Sequence, residues 1–143
     1  MAIEPRVTLI TLAVTDIARA TAFYRGLGWA LSSASTPEVS FFDLNGVVLA
    51  LWTRAELAHD AGVAAGTPDH SGFALAQNQP DRATVDAVIA QAVAAGAIVT
   101  KPAAPTDWGG YSGYFADPDG NLWEIAHNPF WPLDKNGRLQ LPG

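Results

Sequence analysis

The feature that most constrains this chain is that one pattern of elements occurs in it twice. Residues 7–14 (VTLITLAV) are apolar and β-branched, as in a strand buried on both faces or nearly so. Asp16 follows as an N-cap, and Ile17, Ala20, Phe23, Tyr24 and Leu27 recur at helical spacing until Gly28 closes the helix. Short strands are predicted at 29–33, 38–44 and 47–53, the last two joined at Asn45-Gly46, a strong hairpin signal. Residues 54–69 are rich in Ala and Gly and read as a helical turn followed by a flexible connector. The order then returns. A strand at 70–77 leads to a helix opened by Pro80-Asp81, with Thr84, Val85, Val88, Ile89, Ala92 and Val93 as its apolar stripe and Gly96 at its end. Strands at 97–100, 110–116 and 121–127 follow, the last two joined at Asp119-Gly120.

FFDLNGVVLALW (41–52) aligns with YFADPDGNLWEIA (114–126), placing Gly46 over Gly120, 74 residues apart, and Gly28 pairs with Gly96. A chance likeness between two hairpin turns does not explain why both helices end in Gly at matching places, so an internal duplication carries more weight. The predicted organisation is α+β: one domain, 1–143, of two tandem βαβββ modules (7–53 and 70–127). A connector (54–69) joins them, and a tail (128–143) holds Pro129, Pro132 and Asn136-Gly137, suited to a terminal turn packed on the body.

Composition narrows the function classes. A chain of 143 residues is the size of one ordinary domain. Having no cysteine, it has no disulfide, zinc–thiolate site, iron–sulfur cluster or thiol nucleophile. A formal charge of -6, with scattered basic residues, disfavours nucleic acid and anionic membranes. The N-terminus lacks a signal-peptide pattern and no apolar run approaches the ~20 residues of a membrane span, so a cytoplasmic protein is expected. GGYSGY has the wrong spacing for a GxSxG nucleophile, and P-loop, GxGxxG and HExxH motifs are absent.

TDIARATAFY in the first helix and DPDGNLWE in the last hairpin give the chain a specific likeness. It resembles the vicinal oxygen chelate superfamily, which includes glyoxalase I, extradiol dioxygenases and the fosfomycin- and bleomycin-resistance proteins. The resemblance spans residues 7–127. It implies curved mixed sheets enclosing a cavity, usually in a homodimer, and a divalent metal held by first- and last-strand residues of each module. The matching positions here are Leu9, Ala50, Gly72 and Glu124, of which only Glu124 can ligate. A divalent ion needs at least three good N or O donors. No metal is therefore expected, and a Zn, Ni or Fe ion would need ligands from elsewhere, such as Glu56, His59 or a partner subunit.

The expected guest is a small organic molecule. Glu124 shares its strand face with Leu122 and Ala126, and apolar neighbours would raise its pKa for acid–base work; alternatively it is a structural remnant. His70, two before Gly72, points the same way as Gly72 and is a second candidate, whereas His127 faces away from Glu124. Trp52 shares parity with Ala50, and Trp108, Tyr111 and Tyr114 lie on a Gly-rich stretch. These four aromatics are candidate stacking surfaces, set against the simpler role of core filling. Trp29, Trp123 and Trp131 are assigned to outer faces or the tail. The alternative to a binding protein is a metal-dependent glyoxalase-like lyase or isomerase, or a dioxygenase, using Glu124 as base with displaced metal ligands.

Overall fold

The computed structural model describes residues 5, 7–66 and 73–141. The chain divides into two compact units, Met1–Pro68 and Asp69–Gly143.

In the first unit, strands β1 (Leu9–Val14), β2 (Val39–Asp43) and β3 (Val48–Thr53) form a mixed sheet in the order β1-β3-β2. β1 runs parallel to β3 and β2 antiparallel to it. Helix α1 (Ile17–Gly26) starts where the Asp16 carboxylate accepts the Arg19 amide at 3.0 Å. Its buried Ala20, Phe23 and Tyr24 pack on the face made by Leu12, Val14, Leu49, Leu51 and Phe42, all buried. Tyr24 stacks on Trp29 at 5.6 Å and lies 6.0 Å from Phe42, and the Thr21 and Ser40 hydroxyls meet at 2.6 Å. The TDI…FY motif is thus a cap followed by core side chains. Asn45 (φ 57) and Gly46 (φ 109) take the left-handed conformations that a two-residue hairpin turn with the twist of its strands requires.

The strand expected at 29–33 is reduced to one bridge, Leu31 with Phe42. Local side chains compete for the backbone there. Ser35 Oγ accepts the Phe41 amide at 2.9 Å and Ser32 Oγ accepts the Ala34 amide at 3.1 Å, so the segment turns before a ladder can form. In the connector, α2 (Arg54–Ala61) is a full helix, capped by Thr53, where only a helical turn was expected.

In the second unit, β4 (Ala74–Asn78), β5 (Ile98–Pro105), β6 (Tyr111–Ala116) and β7 (Leu122–His127) form a sheet in the order β4-β7-β6-β5. β5 runs further than the predicted 97–100; β4 covers 74–77 of the predicted strand 70–77 and adds Asn78, while 70–72 lie outside the described residues. Helix α3 (Arg82–Ala95) is capped by Asp81, which accepts from the Thr84 amide and hydroxyl, each at 2.7 Å. These bonds, the hydroxyl's first, hold the Asp81 carboxyl below its usual range. Val85, Ile89 and Ala92 are buried as expected, but Val93 is exposed. The DPDGN motif is a turn held by one buried carboxylate. Asp117 Oδ1 accepts the Asp119 and Asn121 amides at 2.9 and 2.8 Å, and Oδ2 accepts from Asn121 Nδ2 at 2.9 Å. The tail turns at Asn136-Gly137, where Asp134 Oδ1 accepts the Asn136 and Arg138 amides. No helix among the described residues is long and apolar enough to cross a membrane.

Candidate functional site

Strand register assigns each candidate side chain to a face. Glu124 pairs with Ala76 on β4 and Tyr114 on β6, so all three lie on the same face of the second sheet. Trp123, Ile125 and Phe115, buried on the other face, lie toward α3. Burial, first, and then the charge of the Glu124 carboxylate and a hydrogen bond to it, hold the Tyr114 phenol above the ordinary tyrosine range. Lys101 on β5 stands across from Tyr114 and is exposed.

A cleft of about 480 Å³ opens on this face, lined by Asn78, Trp108, Glu124, Ala126, Asn128, Phe130 and Trp131. Three local devices build it. β4 and β7 place Asn78 beside Ala126. Just past β7, Asn128 turns the chain, its Oδ1 accepting the Phe130 amide at 2.9 Å and its carbonyl the Trp131 amide at 3.3 Å. That turn brings Phe130 and Trp131 to the cleft. On the other side the β5–β6 loop is closed by Thr106, whose amide donates to the Gly110 carbonyl (3.0 Å) and whose hydroxyl accepts the Gly110 amide (2.9 Å). The Trp108 ring, 46% exposed, lies over Gly110, with no room between them for a Cβ, and Phe130 lies against Gly109. The glycine pair is a seat for aromatic rings, in a loop that Thr106 pins.

The structure therefore brings Glu124 and Trp108 together and sets Tyr114 behind Glu124. Tyr111 is a correction: it lies on the opposite face, its hydroxyl donating to Asp86 of α3 at 2.7 Å, with Arg82 5.2 Å above its ring. Tyr111 and Tyr114 are three positions apart, an odd offset, so strand alternation puts them on opposite faces. The Asp86 bond, first, raises the Tyr111 pKa. His127, as expected, is on Tyr111's face, its Nδ1 3.1 Å from the Gln79 carbonyl oxygen. Trp52 sits on the first unit's sheet, on the same face as Ala50 and Ala13, half-buried. His70 lies outside the described residues. Sequence reasoning missed Asn78, Asn128, Phe130 and Trp131. The available signal was that NPFWP begins one residue after the strand carrying Glu124.

The donor set does not fit the metal that the fold implies. Leu9, Thr11, Ala13, Val48, Ala50 and Trp52 share one face of the first sheet with Val39, Phe41 and Asp43 of β2, and the exposed Asp43 at the end of β2 is the one carboxylate among them. On the second sheet Glu124 is the one carboxylate on its face among the described strand residues. Among the described residues no group of three or more His, Asp or Glu is placed to hold an ion.

Two mixed sheets of these strand orders, each with a helix on one face and the second with a glutamate on its last strand, define a glyoxalase-type class of protein. The chain belongs to the Glyoxalase/Bleomycin resistance protein/Dioxygenase superfamily, whose model matches residues 6–125. It is similar to a glyoxalase-related enzyme from Fulvimarina pelagi, with 39% identity and a TM-score of 0.89 over 98% of this chain and 100% of that one. A glyoxalase/bleomycin resistance protein/dioxygenase from Nocardioides is 26% identical, with a TM-score of 0.72 over 99% and 93%. Lactoylglutathione lyase from Agrobacterium tumefaciens is 25% identical, with a TM-score of 0.68 over 90% and 97%. No curated protein matches the chain.

Proposed function

We propose that this protein binds a small organic molecule in the cleft beside Glu124, without the superfamily's catalytic metal, as a cytoplasmic homodimer. The observation that supports this best is the composition of that cleft. Three aromatic side chains, two amides and one carboxylate surround about 480 Å³, a size and chemistry suited to a flat organic guest. The leucine and alanine at the metal positions 9 and 50 support the metal-free part of the reading. Tryptophan fluorescence screened against flat organic molecules tests the binding. Quenching that is lost in Trp108→Ala is expected, and no quenching by any compound would refute it. Elemental analysis of protein purified without chelator, with thermal shifts in Ni, Zn, Fe and Mn salts, tests the metal. Stoichiometric metal with a metal-dependent rise in melting temperature would overturn the metal-free reading. Light scattering should give the mass of two chains.

A second reading is favoured by the Tyr114–Glu124 pair: a metal-dependent lyase, isomerase or dioxygenase, whose ion would be held by displaced ligands, in which Glu124 moves a proton on the guest. Turnover of a lactoylglutathione-type substrate, abolished in Glu124→Gln, would select it.

A further inference from the structure

The charge inventory of the cleft is one-sided. Among its described lining residues Glu124 is the only charged group, and none is Lys, Arg or His. Tyr114, paired with Glu124 on the β6 side, adds a neutral phenol to this face. Lys101 stands beyond Tyr114 on β5, at the opposite edge of the sheet from Asn78. Trp108, Phe130 and Trp131 supply ring surfaces to the same cleft.

Three kinds of guest fare differently here. An anion meets the Glu124 charge with no cation among the described lining residues to offset it. A neutral aromatic stacks on the rings but removes water from the carboxylate without replacing it. A cation is attracted both by the carboxylate and by the negative faces of the rings. The two amides, Asn78 and Asn128, can accept from N–H or O–H groups on the same guest.

We propose that the cleft is an organic-cation site: it takes a quaternary or protonated amine on a flat apolar body, with Glu124 as counter-ion and Trp108 and Trp131 as walls. This rests on the small-molecule reading above and narrows it to one charge class.

The test compares three benzyl-sized probes on the full chain by calorimetry and tryptophan fluorescence: benzyltrimethylammonium, benzyl alcohol and phenylacetate. Benzyltrimethylammonium should bind about tenfold or more tightly than the other two, and Glu124→Gln should erase that preference. Raising the salt concentration should weaken the cation and leave benzyl alcohol unaffected. Equal or tighter binding of benzyl alcohol or phenylacetate would overturn the cation proposal while leaving the small-molecule reading intact. Failure of all three probes would also overturn it, and the broader screen above would then decide the small-molecule reading by itself. The comparison within the unmodified protein does not depend on any variant folding.

Discussion

Substituting Gly110 by alanine tests how the cleft is built. A Cβ at this position would stand 1.9 and 2.1 Å from Trp108 Cζ3 and Cη2, and 2.7 Å from the His127 carbonyl oxygen. Real Cβ atoms essentially never come within 3.0 Å of another heavy atom, so something must move. The carbonyl belongs to β7 and is held by its ladder, whereas the indole is partly exposed, so the indole gives way. Overpacking of this kind costs about 1–3 kcal/mol, or about 2–4 °C of melting temperature per kcal/mol in a chain of this size. Moving the ring also removes one wall of the cleft, and an aromatic stacking contact is worth about 0.5–1.5 kcal/mol, up to about tenfold in affinity. The decisive measurement is a double-mutant cycle by thermal melting and probe titration. If the Trp108 ring is the main obstacle, Gly110→Ala should cost less in a Trp108→Ala background than in the parent, leaving only the His127 contact. Additive losses, or a Gly110→Ala protein with unchanged melting temperature and Trp108 emission, would refute the seat.

Gly113 lies on the α3 face, where a Cβ would meet the Ala103 nitrogen at 2.8 Å, its Cα at 2.9 Å and Ile89 Cδ1 at 2.9 Å, beside the register shift in β5. Gly113→Ala should therefore cost about 3 kcal/mol in chemical denaturation, with no direct effect on the cleft. Asp117→Ala leaves two amides and the Asn121 side chain without their acceptor in a buried turn. A loss of about 2–4 kcal/mol is expected, with Asp117→Asn, which keeps one acceptor oxygen, milder. The Tyr114 phenol, raised by burial and then by Glu124, links to stability with a definite sign. Its contribution is full below the unfolded value near 10 and is lost as pH climbs through the folded value. Phenolate absorbance should place Tyr114 above an ordinary tyrosine, and Tyr114→Phe should soften the alkaline loss of stability without removing it, because Tyr111 shifts the same way. A Tyr114 titrating at the ordinary value would contradict its placement beside Glu124.

Much of the architecture was legible because its causes are local. Asp16 and Asp81 cap helices that start one residue later, and Asn45-Gly46 and Asp119-Gly120 carry the turn conformations of their hairpins. Strand alternation correctly put Glu124 with Leu122 and Ala126 and sent Trp123 and Ile125 to the helix face. Where local chemistry misled, it did so through competition. The serines at 32 and 35 accept the Ala34 and Phe41 amides and turn the chain where a strand at 29–33 was predicted. Tyr111 was misplaced although its spacing from Tyr114 already implied opposite faces.

The sequence by itself determined most of the order of elements and the face on which Glu124 stands, since each depends on hydrogen bonds or periodicity within a few residues. Only the tertiary structure decided what surrounds Glu124. Asn78 reaches it through a parallel pairing across the sheet, Trp108 through a loop pinned over glycine, and Phe130 and Trp131 through a turn in the tail. Those positions depend on contacts between segments far apart in the chain, and no local pattern in the residues themselves encodes them.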